Sequence, residues 1–155
     1  MNNFKPVLSI IPLQKEFIIE NYPIFSELSK QFEHDYWTLE NYLADFPLKW
    51  QLSEVCLSNN EIVGFILASL KKESCHIHRI VVSEKFQNRG IASLLINSLI
   101  ANARNQNINS ISLKVDKENT KAFNFYLKKG FVNKGLIRNI ADSDNFSYQL
   151  SLSIL

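Results

Sequence analysis

Residues 7–11 form a short apolar run closed by Pro12, which reads as a first strand. Ile18, Tyr22, Phe25, Leu28 and Phe32 then recur at helical spacing over residues 15–32, and Pro23 inside that stripe predicts a kink or two shorter helices. Thr38 ahead of Leu39 and Glu40 reads as an N-cap, opening a short helix that ends near Pro47. Strand-forming residues fill 53–58 and 61–71, with Asn59-Asn60 between them as a hairpin turn, because Asn tolerates positive φ. A polar turn around Lys71-Lys72-Glu73-Ser74 leads into another strand over 75–82.

The pattern then changes period. Ile91, Leu94, Leu95, Leu99, Ile100 and Ala103 predict a long amphipathic helix. A strand follows over 111–115, then a helix over 119–129 with Asn119 as N-cap and Gly130 just past its end. Strands over 131–136 and 147–154 complete the chain. Strands and helices interleave, so the expected fold is one mixed α/β domain over residues 1–155.

Composition narrows the class. A chain of 155 residues with 46% hydrophobic positions suits one domain with an ordinary core. Seventeen Lys+Arg against 15 Asp+Glu give +2, too near neutral for a dedicated nucleic-acid binder. No apolar run reaches the roughly 18 residues of a membrane span, and the first residues lack a secretory pattern, so a cytoplasmic protein is expected. Two cysteines cannot build a disulfide scaffold. The chain has only four glycines, where about 7% is usual, so each is expected where the backbone demands it.

Candidate chemistry concentrates where the strand over 75–82 gives way to the long helix. Gln87-Asn88-Arg89-Gly90-Ile91-Ala92 places a glycine and a small residue at a helix start. The unpaired N–H groups and partial positive charge there suit a phosphate, and Lys85 and Arg89 add cations. Neither a Walker loop nor a dinucleotide fingerprint is present.

That loop resembles the Gln/Arg-x-x-Gly-x-Gly/Ala motif of the GNAT superfamily of N-acetyltransferases. Leu113-x-Val115, Asn119, Ala122, Tyr126, Gly130 and Phe131 resemble the signature that follows it in that family. The resemblance implies a central splayed, mostly antiparallel sheet of about seven strands flanked by four helices. It implies acetyl-CoA as cosubstrate, held by Ile80, Val81, Val82, Gln87, Asn88, Arg89, Gly90, Ile91, Ala92, Ser93, Asn119, Ala122, Phe125 and Tyr126, with no metal. In that topology a strand separates Cys56 from Cys75, leaving their Cα atoms about 9–10 Å apart, too far for a disulfide.

Acetyl transfer to an amine needs a base for the ammonium, a donor for the charge developing on the carbonyl oxygen, and a proton for the departing sulfur. Tyr126 matches the family's general acid, and its phenol stays protonated at neutral pH. His76 and His78, two apart on a strand, share a face and resemble the His-x-His of arylalkylamine N-acetyltransferases; either is a candidate base. Two histidines without a third ligand are a weak metal signal. By family analogy the main-chain N–H of Ile80 serves the oxyanion, a kind of contact worth about 3 kcal/mol.

On the acceptor side, His34, Tyr36, Trp37 and Glu40 offer aromatic and acidic groups for a cationic amine. The expected partner is a small-molecule or peptide amine, with no nucleic acid and no membrane, in a monomer or homodimer. Direct attack by the amine is expected, since no cysteine is placed to form an acyl-enzyme. Two alternatives are a protein or peptide amine acetyltransferase and a non-catalytic CoA-binding sensor module.

Overall fold

The computed structural model describes residues 6–32, 36–140 and 144–155. Among the described residues the chain runs β1 (Leu8–Pro12), α1 (Lys15–Glu20), α2 (Tyr22–Leu28), α3 (Leu39–Leu43), α4 (Lys49–Leu52), β2 (Glu54–Ser58), β3 (Glu61–Lys71) and β4 (Ser74–Val82). It continues with α5 (Ile91–Asn105), β5 (Ser110–Asp116), α6 (Thr120–Lys128), β6 (Val132–Arg138) and β7 (Phe146–Ser153). Among the described residues no helix is long and apolar enough to cross a membrane.

The helix count differs from the four expected. The predicted helix over 15–32 breaks at Asn21, Pro23 sits in the first turn of α2, and a short 3-10 turn at Ser29–Gln31 ends that stretch. A further helix, α4, begins after Leu48, whose φ is 59°. Four residues are too few to display a helical period, which is why the apolar pattern does not announce it. Thr38 caps α3 as expected, in a reciprocal capping box with Asn41.

All seven strands join one sheet in the order β1-β2-β3-β4-β5-β7-β6. Its neighbours are antiparallel except β4 and β5, which run parallel and pair only at Cys75 with Ile111 and His76 with Ser112. Beyond those positions the two central strands part, which is the expected splay. Asn59 and Asn60 both take positive φ, 48° and 69°, in the β2–β3 turn.

Two cores flank the sheet. One, under α5 and α6, gathers Ile66, Ala68, Ile77, Leu95, Leu99, Leu113, Val115, Tyr126 and Phe131. The other, under α1 to α3, gathers Ile18, Phe25, Tyr42, Val55, Phe65, Leu67 and Val81. Both cysteines are buried and free, and both belong to the first core, with Cys75 opposite the His76 face. Burial pushes the Cys75 thiol up to about 12.

The sheet carries a bulge that matters for function. Leu67 pairs with Arg79 and Ala68 with Ile77, so His78 is the extra residue of β4. Cys75 and Ile77 point into the α5 side, whereas Val81 points into the α1–α3 side, so the bulge exchanges the faces. Close to it, a Cβ on Gly64 would lie 2.8 Å from the Val81 carbonyl oxygen, so β3 and β4 approach closely at that point.

Candidate active site

The splay between β4 and β5 is framed by the pieces the sequence singles out. β4 ends at Val82, a short turn at Glu84–Phe86 follows, and α5 starts directly after Gly90. Gly90 has φ 83° and Asn88 φ 62°, so the chain uses two left-handed residues to turn into the helix. The first α5 hydrogen bond runs from the Leu94 N–H to the Gly90 carbonyl, which leaves the N–H groups of Ile91, Ala92 and Ser93 outside the helical ladder. No side chain caps that end, and a Cβ on Gly90 would meet nothing within 4 Å. An open, uncapped helix N-terminus of this kind fits a phosphate.

The loop is tied down from both sides. Gln87 donates from Nε2 to the Val82 carbonyl (3.1 Å) and to Gln31 Oε1 (2.9 Å), while Gln31 donates to the same Val82 carbonyl at 3.0 Å. Gln87 therefore acts on the loop's own backbone rather than reaching outward. The Arg89 guanidinium lies over the Phe86 ring, 5.3 Å from its centroid, and the residue stays exposed.

On α6, Asn119 accepts a hydrogen bond from the Ala122 N–H at 3.1 Å, making it the N-cap expected of it. Tyr126, seven residues on, is 6% exposed and packs edge-on against Phe125 and Phe131. Burial holds its phenol well above the usual tyrosine range. Ala122 and Phe125 are half-buried on the same helix.

The two histidines of β4 come together, their ring centroids 5.1 Å apart and edge to face. His76 Nδ1 shares a hydrogen bond with Ser112 Oγ (3.0 Å), and His78 Nε2 with Ser69 Oγ (2.6 Å). Phe46 stacks on His78 at 5.2 Å. Burial pushes both imidazoles down to about 4, helped at His76 by His78, Lys71 and Lys114 and at His78 by Lys49 and Lys71.

Of the acceptor-side residues, His34 lies outside the described residues. Tyr36 is 64% exposed and Glu40 is exposed at the start of α3. Trp37 is half-buried and lays its ring against the Arg79 guanidinium, 4.4 Å from centroid to carbon, and edge-on to Tyr42. Tyr36, Trp37 and Glu40 thus share one stretch of chain, and only Trp37 reaches inward.

Several contributors had no signal in the sequence. Arg79, 4% exposed, sits between Phe32 and Trp37, carried to that face by the bulge. Lys49, 1% exposed, donates to the carbonyls of Tyr42 and Ala44 at 2.6 Å each and lies 5.7 Å from the Phe46 centroid. Its ammonium is pushed down to about 8 by burial. Ser69 and Ser112 gain meaning only once strands pair.

Among the described residues two clefts bear on the site. The larger, about 600 Å³, lies between α1–α2 and the β2–β3 hairpin and shares no residue with the histidine pair. The smaller, about 460 Å³, is lined by His76 and Ser112. Chemistry, not size, picks out the second.

The sequence profile of the Acetyltransferase (GNAT) family matches residues 16–131. The chain belongs to the GNAT family. Its fold superposes on that of Ard1 from Thermoplasma volcanium with a TM-score of 0.82 at 25% identity, covering 96% of this chain and 98% of that one. Naa50 of Arabidopsis thaliana, in complex with the bisubstrate analogue CoA-Ac-MVNAL, has the same fold, with a TM-score of 0.78 at 24% identity over 94% and 98% of the two chains. An uncharacterised N-acetyltransferase of Methanocaldococcus jannaschii is 28% identical over 128 residues, 74% of this GNAT chain and 56% of that protein. The chain thus spans little more than half the length of that curated relative.

Proposed function

We propose that the protein transfers the acetyl group of acetyl-CoA to a primary amine by direct attack. The observation that carries this reading is the join of an open helix N-terminus at Gly90 to a splayed β4–β5 seam bordered by His76, His78 and Tyr126. Family membership and the CoA analogue in the Naa50 structure support it.

Acetyl-CoA, when bound, supplies the activated acetyl thioester. The N–H groups of Ile91, Ala92 and Ser93 and the Gly90 turn hold its phosphates, with Asn88 and Arg89 at the rim and Gln87 fixing the loop. Ile80, Val81 and Val82 line the seam from β4, and Ala122 and Phe125 border it from α6. Asn119 spends its carbonyl oxygen on the cap and keeps its amide N–H groups for a hydrogen bond outward.

His76 and His78 are held neutral by burial, so either can take up the amine's proton once attack on the carbonyl has made that proton acidic. The Ile80 N–H, on the part of β4 that has left β5, donates to the carbonyl oxygen as charge grows there. Tyr126 keeps its proton until negative charge builds on the departing sulfur. Incubation with acetyl-CoA and a panel of amines, followed by free-thiol release, tests the reading. No release with any amine or peptide, together with a CoA-dependent rise in Tm, would replace it with a CoA-binding sensor.

A further inference from the structure

The cleft beside His76 has a one-sided charge. Lys71, Lys72, Lys114 and Lys134 line it together with Ser74, Ser112, Gln149 and Ser151, and no Asp or Glu does. The whole chain carries only +2, so four lysines on one small cleft are a strong local concentration. Lys15–Asp45 and Lys30–Glu27 are ion pairs, and neither involves these four lysines. Glu73 lies between Lys72 and Ser74 in the β3–β4 turn but does not line the cleft, and Asp116 on β5 turns its carboxylate to the Glu118 N–H at 2.8 Å.

Topology separates this charge from the phosphate cradle. The lysines gather where β4 begins and is still paired with β5, whereas the Gly90 turn follows the far end of β4. A lysine on the outermost strand, such as Lys134 on β6, is by itself an ordinary guard against edge pairing. Lys114 has no such explanation, because β5 lies between β4 and β7 in the interior of the sheet. It alternates with Leu113 and Val115, which face the α5 core, so it stands on the opposite face with Ser112 and the His76 ring bonded to it.

Resting on the acetyl-transfer reading, we infer that the acceptor is a small amine bearing an anionic group, carboxylate or phosphate, which the four lysines hold while its amino group meets His76. A volume of about 460 Å³ suits a small molecule. The same positive field favours the neutral form of the incoming amine, as the reaction requires. Polyamines and other multiply cationic amines would be repelled.

Matched acceptors test this: ethanolamine against O-phosphoethanolamine for phosphate, and alaninamide against alanine for carboxylate. The anionic member of at least one pair is expected to show a kcat/KM higher by about tenfold or more at low ionic strength, an advantage that shrinks as salt is added. Lys114→Gln and Lys71→Gln should erode that advantage and leave the KM for acetyl-CoA unchanged. Equal use of both members of each pair, or better use of spermidine, overturns the inference. Calorimetric binding of O-phosphoethanolamine and alanine to the CoA-loaded protein gives a reading independent of turnover. Binding of either that weakens in Lys114→Gln upholds the anion site even if no amine releases thiol, an outcome that sinks acetyl transfer alone. No binding of either overturns the anion site.

Discussion

The His76 and His78 rings meet edge to face at 5.1 Å although a β-bulge at His78 interrupts the pairing of their strand. An unbulged strand would also set two residues of i, i+2 spacing on one face. The bulge adds Arg79 to that face, and each ring is tied to a serine on a neighbouring strand, Ser112 or Ser69.

This pairing sets the expected pH dependence. With both imidazoles held at about 4, the pair is neutral throughout pH 5 to 8. The kcat/KM profile should therefore show no ascending limb near 6.5 and should follow the acceptor amine instead. For stability, the unfolded chain binds protons near 6.5 that the folded pair refuses until about 4, so Tm should fall as pH drops through that window. A His76→Gln, His78→Gln double variant should flatten the fall; an unchanged slope would refute the neutral buried pair.

Tyr126→Phe keeps the ring against Phe125 and Phe131 and removes only the hydroxyl. Turnover should drop about 100-fold, the lower range for loss of a general acid. Affinity for CoA by calorimetry should change by less than about twofold, since the removed proton acts after binding. Full activity in this variant would end the proposed role.

Gly64→Ala and Gly90→Ala should fail in different ways. The first drives a methyl to 2.8 Å from the Val81 carbonyl oxygen and should cost about 1–3 kcal/mol in chemical denaturation. The second has open space and strains only a φ of 83°, about 1 kcal/mol, but it places a methyl where an anion must approach. Gly90→Ala should lose more CoA affinity than stability, and the reverse ordering would move the cradle elsewhere.

Lys49→Met removes both hydrogen bonds to the Tyr42 and Ala44 carbonyls and should cost about 2–3 kcal/mol of stability. Those carbonyls close α3 just before Phe46, the residue stacked on His78. The KM for the amine should rise while that for acetyl-CoA holds. A parallel rise in both would show only general loosening.

Contiguous features are legible in the sequence. The bounds of β3, the caps at Thr38 and Asn119 and the left-handed Gly130 at the end of α6 all follow from residues adjacent in the chain. What escaped was built across strands. A bulge has no compositional signature, so the inward turn of Arg79 could not be read from His-Ile-His-Arg. The lysine cleft draws on the β3–β4 turn, β5 and β6, and its single sign emerges only when these are adjacent. In the sequence His34, Tyr36, Trp37 and Glu40 point toward a cationic amine, whereas the cleft beside His76 argues for an amine that also carries an anionic group.

The brevity of the β4–β5 pairing has a mechanical consequence. Among the described residues, two register pairs are the only ladder between the block β1–β4 and the block β5, β7 and β6, with α5 packed across the join. Each block has long antiparallel ladders of its own, and the two units share one apolar core under α5, so the bridge between them is made of side chains more than of backbone pairing. A ligand seated along that bridge would contact both units at once and oppose their separation, so occupancy would be felt as rigidity in strands it never touches.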